Sequence, residues 1–279
     1  TSSNNGSYKL NDSILVYLIF NEAINVTGTP QLTLETGVTD VLIDYQSGTG
    51  NDTLIFVYKV KSGHTNNDLD YVSSNSLSLN SGILKDLAGN GANLNLAVPG
   101  QSGSLGSNKN ILVDGIIPTV SNVTSTKSNG NYKKGALIPI SVIFSENVTV
   151  TGVPKITLET GTTDAIVNYS SGSGSTTLIF NYTVEEGQFS DDLDYLNSNA
   201  LALANGTIKD GAGNAANLNL SDPGNSSSLG ANKAITINDG RVINVFSTVN
   251  DGYYKTGDII PIIVKFNKNM TVSGIPQLT

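Results

Sequence analysis

The feature that most constrains this chain is that it repeats itself. The segment Val26-Thr27-Gly28-Thr29-Pro30-Gln31-Leu32-Thr33-Leu34-Glu35-Thr36-Gly37 returns as Val150-Thr151-Gly152-Val153-Pro154-Lys155-Ile156-Thr157-Leu158-Glu159-Thr160-Gly161, an offset of 124 residues. Laid on residues 125–238 without gaps, residues 1–114 agree at 58 of 114 positions, far beyond chance. A third start follows in Gly252-Tyr253-Tyr254-Lys255 and Val272-Ser273-Gly274-Ile275-Pro276-Gln277-Leu278-Thr279, now at an offset of 122. A unit of about 120 residues is long enough to bury its own core, so the chain reads as an array of domains.

The boundaries follow from the alignment. Residues 1–114 form a first repeat, 115–239 a complete second one, and 240–279 the opening of a third. Thr1 aligns with Ser125, so Pro118–Val123 has no counterpart ahead of the first repeat. That stretch is expected to begin the first strand of repeat two, and repeat one is expected to lack its initial strand. The chain starts and stops within the pattern and is expected to be an excerpt of a longer protein.

Within a repeat the hydrophobic pattern is that of strands. Ile14–Phe20, Gln31–Glu35, Val41–Tyr45 and Thr53–Val60 are short, apolar and rich in β-branched and aromatic residues. Leu32 and Leu34 alternate with Thr33 and Glu35, the period of two that buries one face of a sheet. Clusters such as Ser47-Gly48-Thr49-Gly50-Asn51 and Gly89-Asn90-Gly91 supply turns every 8–12 residues, and no run of 12 shows a helical period with caps. The predicted fold is all-β, and the repeat length suits tandem immunoglobulin-like β-sandwich domains. Pro118, which fixes its own φ and extends the residue before it, predicts a stiff first linker.

Composition narrows the function. The net charge is −8, with 23 acids against 15 bases, which argues against nucleic-acid binding because that needs basic patches. No apolar run approaches the ~18 residues of a membrane helix. There is no cysteine, and His64, the single histidine, aligns with Gln188. A Cys–His or Ser–His nucleophile is therefore not supported, and neither is zinc. Identical copies without a catalytic set add reach, so the expected class is structural and not enzymatic.

From Tyr132 to Asn214 the motif order is Tyr-Lys-x-Gly, Phe-Ser-Glu-Asn-Val-Thr-Val-Thr-Gly-Val-Pro, Leu-Glu-Thr-Gly, Tyr-Ser-Ser-Gly-Ser-Gly, Leu-Ile-Phe-Asn-Tyr-Thr-Val, Asp-Leu-Asp-Tyr and Ile-Lys-Asp-Gly-Ala-Gly-Asn. This order resembles the immunoglobulin-like tandem repeats of giant bacterial surface proteins and adhesins. It is most similar to the swimming-motility-protein-like, flagellar-system-associated repeat class. The resemblance covers nearly the whole chain. It implies a secreted, extracellular or cell-surface location and a role as stalk, fibre or adhesin spacer. The implied partners are neighbouring repeats and other copies of the chain. The alternatives are a glycan- or ligand-binding adhesive module, or a filament assembled by strand exchange.

Calcium is the expected cofactor candidate, because hard cations take carboxylate and carbonyl oxygens. The recurring candidates are Glu22 and Glu146, Asp68 and Asp192, Asp70 and Asp194, Asp86 and Asp210, with Asn90 and Asn214 beside the last pair. The linkers add Asp114 and, after the aligned Asn238, Asp239. In the arrays that the chain resembles, linker acids and a loop acid bind calcium and stiffen the joint. A plainer reading stands beside this one. Asp86 and Asn90 can simply build a tight turn, with Gly89 at positive φ. Lys268 at the aligned place in repeat three weakens Glu22, and Asn238 weakens a second equivalent linker site. Asp68 and Asp70, two apart, are expected on one face, as a solvated or metal-binding pair; a general acid–base pair has no other catalytic partner types around it.

Overall fold

In the computed structural model, all residues are described except Ser2, Asp239 and Lys268. The chain is all-β, with two four-residue helices among the described residues. Repeat one runs β1 (Gly6–Lys9), β2 (Ser13–Thr27), β3 (Gln31–Leu34), β4 (Val41–Ser47), β5 (Asn51–Lys59), β6 (Thr65–Asn66), β7 (Leu77–Ser78), β8 (Ile83–Asp86), α1 (Leu105–Asn108) and β9 (Ile111–Asp114). Repeat two runs β10 (Val120–Ser125), β11 (Gly130–Tyr132), β12 (Leu137–Thr151), β13 (Lys155–Leu158), β14 (Ala165–Ser171), β15 (Ser175–Thr183), β16 (Phe189–Ser190), β17 (Leu201–Ala202), β18 (Thr207–Lys209), α2 (Leu229–Asn232) and β19 (Ile235–Asn238). The third start gives β20 (Val242–Ser247) and β21 (Ile262–Phe266).

Repeat one forms a sheet in the order β7-β3-β4-β5-β2-β8 and a smaller one, β1-β9-β6. The period of two in its sequence becomes burial. Leu54, Phe56 and Tyr58 of β5 are fully buried, as are Ile14 of β2 and Leu34 of β3. Ile111 and Val113 of β9 join the same core cluster, so both sheets close over one interior, as in a β-sandwich. The long strand β2 serves twice. Its first half pairs β5, with Val16 opposite Phe56. A shift of register after Ile19 then turns it onto β8, with Val26 opposite Leu84.

Repeat two has the corresponding order, β17-β13-β14-β15-β12, with β18 also on β12, and β11-β19-β16 as the small sheet. It carries one strand more. β10 pairs the first half of β12, placing Val123 opposite Val142. Val123 is 1% exposed. Among the described residues, β20 and β21 pair only with each other.

Compactness divides the chain differently from the repeat. One unit gathers residues 1–119, 145–150 and 207–217; the other gathers 120–144, 151–206 and 218–279. Bonds inside the first unit show why two short segments of repeat two belong to it. Ser145 N–H donates to the Thr119 carbonyl at 2.8 Å, and Asn217 N–H to the Pro118 carbonyl at 2.8 Å. Leu10 N–H donates to Asn214 Oδ1 at 2.8 Å.

Candidate metal centre

The loops that follow β8 and β18 carry Lys-Asp-x-Ala-Gly-Asn in both repeats, and both fold into the same turn. Asp210 Oδ1 accepts from the N–H groups of Gly213 (2.7 Å) and Asn214 (2.8 Å), and its Oδ2 from Asn214 Nδ2 (2.7 Å). Asp86 does the same with Asn90, at 2.8 Å to N–H and 2.7 Å to Nδ2. Gly89 and Gly213 sit at φ of 94° and 95°, a region that glycine enters without penalty. The turn reading therefore holds for both loops.

In repeat two the turn does more. Asn214 Nδ2 also donates to the main-chain carbonyl of Asp114 at 2.9 Å, which brings the end of β9 to the loop. Glu146, in the second half of β12, comes to the same place. Carboxylate oxygens of Asp114, Glu146 and Asp210 all lie within 4.8 Å of one another, the one such acidic group among the described residues. All three belong to one compact unit.

Among the described residues no cationic side chain forms an ion pair with the trio. Asp210 is buried, and Asp114 and Glu146 are half-buried. Burial, and then the neighbouring Asp210, push the Asp114 carboxyl above its ordinary range, against one opposing hydrogen bond from the Ile116 N–H. Burial, then Asp114 and Asp210, push Glu146 up as well. The ion pairs Lys9–Asp12 (3.0 Å) and Lys134–Glu186 (2.6 Å) involve none of the three. Among the described residues, the buried Glu146 Oε1 has no hydrogen-bond partner. A cleft of ≈ 370 Å³ lined by Thr65, Leu112, Asp114, Ser145 and Glu146 opens beside it. An all-oxygen, uncompensated and partly desolvated group suits a hard divalent cation, which would satisfy the orphan oxygen and offset the repulsion.

The other candidates have different placements. Asp70 and Asp194 are buried and bond main-chain N–H groups: Asp70 those of Tyr71 (2.9 Å), Gly100 (3.0 Å) and Leu105 (3.2 Å), Asp194 those of Tyr195 (2.9 Å), Gly224 (2.9 Å) and Leu229 (3.2 Å). They pin the loop and the start of the short helix to the core. Asp68 and Asp192 stand beside them on the same face. A Cβ on Gly106 would meet Asp70 Oδ2 at 3.0 Å and Asp68 Oδ2 at 3.5 Å, and one on Gly230 would meet Asp194 and Asp192 likewise at 2.9 and 3.4 Å. A side chain there would have to displace one of these carboxylates by a few tenths of an ångström. Burial and Asp194 raise the Asp192 carboxyl. Glu22 and Asn90 are exposed, and among the described residues neither Glu22 nor Asp86 belongs to a close group of three acids. Asp239 lies outside the described residues.

The alignment alone could not separate the trio from the other recurring acids. Asp114 aligns with Asn238 and so does not recur as an acid, and no spacing in the sequence ties it to Glu146 and Asp210. No protein-family model matches the chain. No curated protein sequence matches it either.

Proposed function

We propose that this chain is the structural repeat region of a secreted or cell-surface bacterial protein. In this reading the repeats are tandem immunoglobulin-like sandwiches acting as stalk, fibre or adhesin spacer, and calcium sits among Asp114, Glu146 and Asp210. The observation that carries it is the recurrence, strand for strand, of one sheet order in two copies of one sequence. Duplicating a sandwich lengthens a molecule without adding chemistry. The cation would tie the end of repeat one to two segments of repeat two at the point where their sequences join. It would supply charge neutralisation and no reaction step.

Brief protease treatment of intact producing cells, followed by blotting with an antibody against the chain, tests this. Digestion before lysis, hastened by a calcium chelator, is expected. Protection of the chain until the cells are lysed overturns the surface reading. Specific binding of the purified chain to a defined glycan replaces the spacer by the adhesive module.

A further inference from the structure

In each repeat the large sheet forks. β4 and β5 pair at Tyr45 with Phe56 and at Ser47 with Ile55. Beyond that point β4 stays on β3, with Asp44 opposite Gln31, while β5 stays on β2, with Lys59 opposite Ser13. β14 and β15 part at the same place, beyond Tyr169 and Phe180, and β14 follows β13. A cleft opens in each fork, ≈ 280 Å³ in repeat one and ≈ 470 Å³ in repeat two. Each cleft presents an apolar residue to solvent at the aligned position: Leu42 is 57% exposed and Ile166 66%.

The fork recurs, but its charge does not. At the offset of 124, Val57 is replaced by Asn181, Lys59 by Thr183 and Lys61 by Glu185. The repeat-one cleft is lined by Lys59 and Lys61, both exposed, and by one acid, Asp44. Asp44 Oδ1 already accepts from Gln31 Nε2 at 2.8 Å. Among the described residues neither lysine forms an ion pair. The repeat-two cleft is lined by Asp164 and Glu185, and among the described residues by no base.

The acidic cleft has a carboxylate oxygen in need of a donor. Among the described residues, Asp164 Oδ1 is buried and has no hydrogen-bond partner. Its counterpart Asp40 is exposed and lies outside the repeat-one cleft. Gln188 Oε1 at the floor accepts from Tyr182 OH and from Glu185 N–H, both at 2.8 Å. Burial, and then the Glu185 charge, push the Tyr182 phenol up, which places that carboxylate near the floor as well. A buried carboxylate oxygen costs free energy until a donor meets it, and an ammonium both donates and neutralises. A lysine reaches such a site by laying its apolar stem along the surface.

We propose that the β4–β5 face of one copy packs on the β14–β15 face of a second copy, with Lys59 and Lys61 entering the repeat-two cleft to meet Asp164 Oδ1 and the Glu185 carboxylate. Leu42 and Val57 then cover Ile166. Neither face can meet its own kind, because lysine would oppose lysine and acid would oppose acid; the charges therefore select the pairing of unlike repeats. The two faces lie on different repeats, so the contact is heterologous and passes from copy to copy. This inference rests on the structural-array reading and names its partner, a second copy.

Lys61 and Glu185 are both exposed, so reversing their charges leaves the core intact. Sedimentation velocity of the full chain at low salt is expected to show concentration-dependent association. Salt of about 0.5 M is expected to weaken it several-fold, because exposed charges are screened. Lys61→Glu and Glu185→Lys are each expected to weaken it several-fold, and the chain carrying both to recover most of it. Glu22→Lys, an equal change of charge on an exposed residue outside both clefts, is expected to leave it unchanged. Failure of the double variant to recover, or equal weakening by Glu22→Lys, overturns the proposal. A carbodiimide joins an ammonium and a carboxylate in contact as an amide. With isotope-labelled and unlabelled chains mixed, an amide from Lys59 or Lys61 to Asp164 or Glu185 is expected between chains; the same bond found only within one chain overturns the proposal. So does a chain that stays monomeric at high concentration, including one that binds pentalysine at Glu185, which gives the cleft to a foreign basic partner. A monomer that cells nevertheless display to protease would sink the contact between copies and leave the surface-array reading standing.

Discussion

The loops Lys85–Asn90 and Lys209–Asn214 differ at one residue in six, Leu87 against Gly211, and make the same turn with the same bonds. Their surroundings differ. Asn90 is exposed, and the Asp86 carboxyl lies below its usual range because the Asn90 side chain and main chain donate to it. Asp210 and Asn214 are 6% and 3% exposed, and there the same turn holds Asp114 and faces Glu146. The comparison teaches that the motif encodes a turn. In repeat two that turn meets a linker acid, Asp114, delivered by the end of β9, together with Glu146.

The largest expected effect comes from breaking the second loop. In calcium, Asp210→Ala removes three charge-assisted hydrogen bonds and one ligand, and should lower unfolding stability by about 2–4 kcal/mol in a denaturant titration. Asp86→Ala should shift the same curve far less. If the two variants lose stability equally, the loops are equivalent and the site is not special.

Next is the cation itself. Calcium bound only by the folded chain should raise stability by about 2.7 kcal/mol at a hundredfold excess over its dissociation constant. Chelation should reverse this in a thermal melt. Glu146→Gln should abolish most of the calcium response, and Glu22→Gln none of it. A response that survives Glu146→Gln places the cation elsewhere.

A smaller effect is a pH dependence without divalent ions. Asp114 and Glu146 have folded-state values raised by burial and mutual repulsion. The folded state then holds protons more tightly than the unfolded one. The contribution of these two groups to stability is therefore lost as pH rises from the ordinary carboxylate range through their raised values. Melting of the chelated chain should show this slope, and Glu146→Gln should flatten it. Calcium should invert it, because ligands must be deprotonated to bind.

The smallest effect sharpens the likeness of the repeats. Tyr58 OH meets His64 Nδ1 at 2.9 Å, where Tyr182 OH donates to Gln188 Oε1 at 2.8 Å. His64→Gln should copy the second arrangement into the first and change stability by no more than about 0.5 kcal/mol. Burial, then Lys61, hold the His64 value below the ordinary one. Its contribution is present above the ordinary histidine value and lost as pH falls through it, so the variant should also remove that acid-side slope. Proton titration of the His64 ring by NMR checks the direction.

Much of the molecule was legible in the sequence because it depends on local periodicity. Alternation in Gln31–Leu34 marked both a strand and its buried face, and the apolar run Thr53–Val60 marked a strand whose buried side only the fold revealed. Less legible was the division of β2 between two partners: the sequence marks Ile14–Phe20, whereas the strand runs on to Thr27 and its change of register depends on what lies on either side. The separate tasks of the recurring acids were also hidden. Asp70 and Asp210 both recur, are both buried and both accept main-chain N–H groups, but one serves a helix start and the other a cluster of charge.

By itself the sequence determined the array, the β character, the turns and the set of acids from which the site is drawn. These follow from repetition and from interactions between residues a few positions apart. Only the tertiary structure decided which acids meet. Asp114, Glu146 and Asp210 are separated by 32 and 64 residues, and their approach depends on a strand end, the second half of a long strand and a turn meeting at one point. An approach across such separations is a property of the folded chain, and no periodicity records it.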